Sequence, residues 1–165
     1  MASMISGHIG IGSAWPMPSI ISSLAPFRGF LQQRAALQAG GASLGPAMLF
    51  FGCRHPDQDF IYADELKAFQ QAGITELYTA FSRAGAAKTY VQHLLIARQE
   101  RLWSRIENGA IIYVCGDGGR MEPEVRAALV SIYRECNDAD AEAGLRWIEE
   151  LGATNRYVLD VWAGG

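Results

Sequence analysis

No stretch of the 165-residue chain approaches the roughly 18 consecutive apolar residues that a membrane-spanning helix requires, so no such span is predicted. Cysteine is scarce. Cys53, Cys115 and Cys136 are odd in number and lack CxxC spacing, which suits reduced thiols in a cytoplasmic protein better than a disulfide framework or a cysteine zinc site. The three histidines, His8, His55 and His93, are scattered among unlike segments, so no metal site is predicted. A basic surplus is also missing: the formal net charge of -3 argues against the broad positive field that a nucleic-acid backbone requires. Charge is absent altogether from Met1 to Phe27, and without a basic n-region this stretch does not read as a secretory signal. Broken by Gly7, Gly10, Gly12, Pro16 and Pro18, residues 1–23 are expected to be a poorly ordered leader. Residues 24–165 then have the length of one domain.

Within that domain helical and strand patterns alternate. Pro26 opens a helix whose apolar residues Phe27, Phe30, Leu31, Ala35 and Leu37 recur at near-helical spacing until Gly40-Gly41 stops it. AMLFFGC at 47–53 is a continuous apolar run, the signature of a strand buried on both faces. A helix is predicted over 62–72, a strand over 76–82, a single helix over 90–107 and a strand over 110–115. Two further helices over 123–135 and 138–151 precede a last strand at 157–162. Four such strands separated by helices imply crossover connections, hence an α/β domain with a parallel sheet and helices on both faces. Ligands in such sheets collect at the carboxyl ends of the strands.

Three sets of residues fall at those ends. Ser82 and Arg83, followed by Lys88, Tyr90 and Gln92, combine a planar guanidinium, a point-charge ammonium, hydroxyls and an amide, the mixture a phosphomonoester requires, and Tyr90 offers a ring to a purine. On composition alone a solvated loop that happens to hold basic residues is the plainer reading. Cys115-Gly116-Asp117-Gly118-Gly119 lets backbone approach a flat or charged ligand, although a small buried thiol and an Asp in a turn are the plainer readings. Asp160 and Trp162 end the last strand, where an aromatic covers a planar cofactor or simply plugs the sheet edge. GHIGIG at 7–12 has its glycines in the wrong order for a dinucleotide fingerprint.

Together these segments resemble the NADP-binding lobe of the NADPH–cytochrome P-450 reductase family, particularly the C-terminal lobe of bacterial fusions that join a haem monooxygenase to its own reductase. The resemblance rests on LAPFRGF at 24–30, FGCR at 51–54, AFSR at 80–83, KTYVQH at 88–93, YVCGDG at 113–118, Met121 and DVWAG at 160–164, all in the family's order. It implies a parallel five-stranded Rossmann-like sheet in a ferredoxin-reductase-type NADP-binding domain that positions NADPH for hydride transfer to FAD, with electrons passing through FMN to a cytochrome P-450 haem. By the same resemblance Ser82, Arg83, Lys88, Tyr90 and Gln92 bind the adenosine 2′-phosphate end, while Arg54, Gly116, Asp117 and Met121 line the dinucleotide groove. Cys115 and Asp160 sit by the nicotinamide, and Trp162 covers the flavin.

The chain departs from the family at one loop. Where the family carries a glycine-rich G-x-G-T-G before the Ala-Pro-Phe-Arg stretch, this sequence reads Ile20-Ile21-Ser22-Ser23-Leu24, so the usual backbone cradle for a pyrophosphate is altered. The FAD-binding and FMN-binding domains that the resemblance implies as partners also have no room in 165 residues, so the chain is expected to be a C-terminal fragment. The rival reading is a non-catalytic nucleotide-binding remnant. A flavodoxin-like regulatory module is disfavoured because the strand ends lack an acidic phosphoacceptor cluster.

Overall fold

A computed structural model describes residues 2–6, 24–85 and 88–162. Five strands stand in the order β3-β2-β1-β4-β5: β1 Ala2–Ser6, β2 Ala47–Cys53, β3 Glu76–Phe81, β4 Ile111–Asp117 and β5 Tyr157–Trp162. Six helices accompany them: α1 Ala25–Ala39, α2 Ala63–Gln71, α3 Val91–Ala97, α4 Gln99–Glu107, α5 Met121–Asn137 and α6 Ala141–Ala153. The α/β expectation holds, with parallel strands and intervening helices. An all-parallel five-stranded sheet is not what forms. Parallel pairing is confined to β2 with β3 and β4 with β5, and β1 runs antiparallel to both of its neighbours. Either direction satisfies the backbone donors and acceptors of β2 and β4, so a short strand with no alternating pattern leaves its orientation unread in sequence. Ala2–Ser6, which sequence patterning assigned to the leader, is this central strand. The remainder of that leader, residues 7–23, with the altered loop at 20–23, lies outside the described residues.

The apolar run of β2 is continuous because both its faces are covered. Met48 and Phe50 pack into a cluster with Val91, Leu95, Leu102, Val125, Leu129 and Ile148 from α3 to α6. Leu49 and Phe51 pack oppositely with Leu24, Phe27, Leu31 and Leu66, the side of α1 and α2. Strand β4 divides likewise, Ile112 and Val114 to the first cluster and Cys115 to the second. All five are at most 3% exposed among Met48, Phe50, Leu49, Phe51 and Cys115, and at about 25 cal/mol per Å² such burial is the main force holding the layers together.

Several boundaries shift for local reasons. The predicted helix over 90–107 is two helices, broken at Arg98 (φ −124°, ψ 22°), whose guanidinium lies over the Tyr78 ring at 5.5 Å. Helix α5 begins two residues before the predicted Pro123, which sits in its first turn where a missing N–H costs nothing. At Arg34 helical periodicity concealed a buried cation: it is 4% exposed, donating from Nε to the Ile74 carbonyl at 3.2 Å and from Nη2 to that of Gly45. These bonds tie α1 to the loops entering β2 and β3.

Candidate functional site

The parallel pairs end at the same edge of the sheet, and their first loops define a cavity of about 400 Å³. Strand β2 continues past Cys53 as Arg54, and β3 past Phe81 as Ser82. The two extensions remain bonded, since the Ser82 N–H donates to the Cys53 carbonyl at 3.0 Å and the Arg83 N–H to the Arg54 carbonyl at 2.9 Å. Parallel register thus places the guanidinium-bearing and hydroxyl-bearing loops side by side. The chain returns to the cavity through Tyr90 and Gln92 at the start of α3, and across from them stand Arg120 and Met121 at the start of α5.

Of the residues singled out from sequence, Arg54, Ser82, Tyr90, Gln92 and Met121 line this one cavity. Arg83 and Lys88 do not line it; they are exposed on the adjoining loop. Among the described residues, Arg54, Arg83 and Lys88 make no ion pair with a carboxylate. Three cations at one rim are therefore available to an anion.

The sequence reading overlooked Glu124. Its carboxylate accepts from the Gln92 amide at 2.6 Å and lies 3.6 Å from Arg120 Nε, so it joins α3 to α5 across the cavity. Its i,i+4 spacing from Arg120 was visible in the chain; its meeting with Gln92, 32 residues away, was not. Asp59 and Thr89 also line the cavity.

A second cluster sits at the ends of β4 and β5. Cys115 and Asp160 are register partners, as are Asp117 and Trp162. The Cys115 thiol lies 3.6 Å from Asp160 Oδ2. Burial first, and then the Asp160 charge and hydrogen bond, push this thiol up to about 12 from an ordinary 9, so it is a protonated donor at neutral pH. Asp117 performs a turn role, its Oδ1 accepting from the Gly119 N–H at 2.8 Å, while the Gly118 N–H donates to the Trp162 carbonyl at 2.9 Å. A Cβ on Gly118 would stand 3.1 Å from Val161 Cγ2, so glycine is what lets this loop close onto β5. Gly116, at φ 151°, precedes that closure. Trp162 is 48% exposed, and its neighbours Leu159 and Val161 are exposed with it, leaving an uncovered apolar edge beside the Cys115–Asp160 pair. Among the described residues no three His, Cys, Asp or Glu side chains gather as a metal site. No described helix is long and apolar enough to cross a membrane.

A cavity bordered by unpaired cations at the carboxyl ends of parallel strands is the arrangement by which α/β proteins bind nucleotides. The chain belongs to the oxidoreductase NAD-binding domain family, whose model matches residues 22–127. It is similar to the bifunctional cytochrome P-450/NADPH–P-450 reductase 1 of Bacillus subtilis (strain 168), with 47% identity over 144 residues, 87% of this chain and 14% of that protein. It is also similar to the NADPH–cytochrome P-450 reductases of Homo sapiens, at 42% identity over 143 residues, and Aspergillus niger, at 44% over 144. Each of those alignments covers 86% of this chain and 21% of the relative. The chain thus spans between about a seventh and a fifth of the length of these relatives.

Proposed function

We propose that the chain is a ferredoxin-reductase-type domain that binds NADP(H) across the β2–β5 edge and presents the nicotinamide for hydride transfer to a flavin held by another domain. The observation that carries this reading is the placement side by side of the cavity at β2 and β3 and the Cys115–Asp160–Trp162 cluster at β4 and β5. One end offers groups for a phosphorylated adenosine; the other offers a protonated donor, a carboxylate and an exposed indole. The described residues fit the group. A monophosphate dianion matches Arg83 and Lys88, free of carboxylates on the loop that adjoins the cavity, and Ser82 and Tyr90 line that cavity. Arg54 and Met121 line the same cavity as Ser82 and Tyr90, where they would contact the dinucleotide, and Gly116 and Asp117 shape the loop after β4.

When bound, NADPH supplies the hydride, and this chain's part is orientation and the exclusion of water. Cys115 donates its S–H toward Asp160 and stays neutral, so a thiol donor and a carboxylate stand together at this end of the site. In this reading the half-exposed Trp162 ring at the end of β5 covers the flavin. In this reading the partners are FAD- and FMN-binding domains and a cytochrome P-450 haem domain, in a cytoplasmic setting consistent with three free cysteines. The chain by itself holds the dinucleotide without turning it over.

Titration calorimetry tests the reading. The unaltered chain binds 2′,5′-ADP and NADP more tightly than NAD, and Arg83→Ala removes about 1.5–3 kcal/mol from the first two while sparing NAD. Equal affinity for NAD and NADP, or an equal loss for both on Arg83→Ala, overturns the phosphate site. Robust NADPH-dependent reduction of cytochrome c without another protein overturns the dependence on a separate flavin domain.

A further inference from the structure

Tyr90 is the N-cap residue of α3, with extended backbone (φ −122°, ψ 167°), yet tyrosine has no side-chain acceptor placed to cap the first turn. Such positions favour Ser, Thr, Asp or Asn. The vacancy is met from the other direction. His93, at the third helical position, accepts the Tyr90 N–H at Nδ1 over 3.3 Å, and its own N–H donates to the Tyr90 carbonyl at 3.1 Å. The two rings also touch, with centroids 5.6 Å apart at 62°. His93 thereby fills the reaching-back half of a capping box, the half normally taken by Glu or Gln.

We infer that His93 is a positioning residue for the nucleotide cavity: by fixing the backbone and ring of Tyr90 it sets where Thr89, Tyr90 and Gln92 stand in the cavity wall. This inference rests on the nucleotide reading given above. Three points support it. The loop's first end is anchored to β2 through the Ser82 and Arg83 N–H groups, while its second end is held by the 3.4 Å bond from the Thr89 N–H to the Phe81 carbonyl and by the Tyr90–His93 pair. Tyr90 and Gln92 both line the cavity, whereas His93, exposed on α3, does not. A tyrosine at a capping position costs the helix a cap, and a helper three residues on lets its ring serve the cavity instead. His93 touches no ligand in this scheme; it acts through Tyr90.

The variants are His93→Leu, which keeps bulk and helix propensity but has no acceptor, and His93→Gln, which restores a neutral acceptor at a capping-box position. Two readouts are made on the full chain. In amide hydrogen exchange without ligand, the Tyr90 N–H is protected in the unaltered chain and in His93→Gln and loses protection in His93→Leu. In calorimetry, 2′,5′-ADP binds roughly fivefold more weakly to His93→Leu, the worth of one cap, and within twofold of normal to His93→Gln. Unchanged affinity in His93→Leu, or an equal fall in His93→Gln, overturns the inference. If the unaltered chain holds no 2′,5′-ADP at all, the nucleotide reading fails on its own account. The exchange data then decide the positioning role, and an unprotected Tyr90 N–H in the unaltered chain overturns it.

Discussion

Cys115 on β4 and Asp160 on β5 face each other as register partners of a parallel pair, the thiol sulfur 3.6 Å from the carboxylate Oδ2. Because burial and the neighbouring charge raise the folded thiol to about 12 from an ordinary 9, its stabilising contribution is complete below pH 9 and is lost as pH rises through about 12. In a Cys53→Ser/Cys136→Ser background, thiolate absorbance is expected to appear near the upper end of that window. Asp160→Asn removes the charge but leaves the burial, so the titration moves part of the way back towards 9. An unchanged titration after Asp160→Asn contradicts the coupling. Burial and then the Glu122 hydrogen bond raise Tyr157 in the same direction, so stability falls in alkali even in Cys115→Ala, though less steeply.

The bond from Gln92 to Glu124 predicts a binding effect from a residue on the far wall of the cavity. Glu124→Ala frees the Gln92 amide and is expected to weaken 2′,5′-ADP by about 0.5–1.5 kcal/mol, whereas Glu124→Gln, which retains an acceptor, costs less. Calorimetry with both variants checks the order; equal losses would show that charge, not the bond to Gln92, is what matters.

Residues 20–23 lie outside the described structure; if, as the family resemblance implies, they replace its glycine-rich loop, the β-branched Ile20 and Ile21 obstruct a backbone cradle for pyrophosphate. Losing two hydrogen bonds to charged oxygens, at about 1.5–3 kcal/mol each, weakens the dinucleotide about a hundredfold or more, so 2′,5′-ADP is expected to bind as well as intact NADP. Replacing Ile20-Ile21-Ser22-Ser23 by Pro-Gly-Thr-Gly, with Ser19→Gly, should raise NADP affinity selectively. A hundredfold preference for NADP in the unaltered chain would show that the serines already form a cradle.

Packing of α6 on α5 depends on Gly144, where a Cβ would stand 2.8 Å from Val130 Cγ1 and 3.2 Å from Arg134 Cγ. Gly144→Ala gains up to about 1 kcal/mol of helix propensity but must displace Val130, an overpacking cost of about 1–3 kcal/mol. The net expectation is a loss of about 1 kcal/mol, or about 2–4 °C in Tm by thermal denaturation. A stabilised variant would mean that α6 shifts freely on α5.

How far the chain could be read follows from the range of the forces involved. Strands β2 to β5 were legible because apolar runs and bounding glycines are properties of a few consecutive residues. AMLFFGC revealed its two covered faces by having no polar alternation, and Ser82 was recognisable at a strand's carboxyl end, whereas Tyr90 and Gln92 prove to be the N-cap and first turn of α3. Four choices were left to the folded chain. The direction of β1 depends on backbone bonds to β2 and β4, which accept either orientation. The break at Arg98 interrupts residues that all favour a helix, and there the guanidinium lies over Tyr78 on β3. Arg34 is buried because carbonyls from two loops surround it, which no helical pattern announces. The division of the site into a cavity holding Gln92 against Glu124 and an edge holding Cys115 against Asp160 required segments 32 and 45 residues apart to meet. Sequence alone determined that the segments of β2 to β5 become strands, that helical segments lie between them, and which residue types stand at the strand ends, since these follow from local periodicity and turn chemistry; that Ala2–Ser6 becomes a strand was not among them. Strand direction, the burial of Arg34 and the pairing of the site residues were decided only by tertiary structure, because each depends on hydrogen bonds and desolvation between groups that are far apart along the chain.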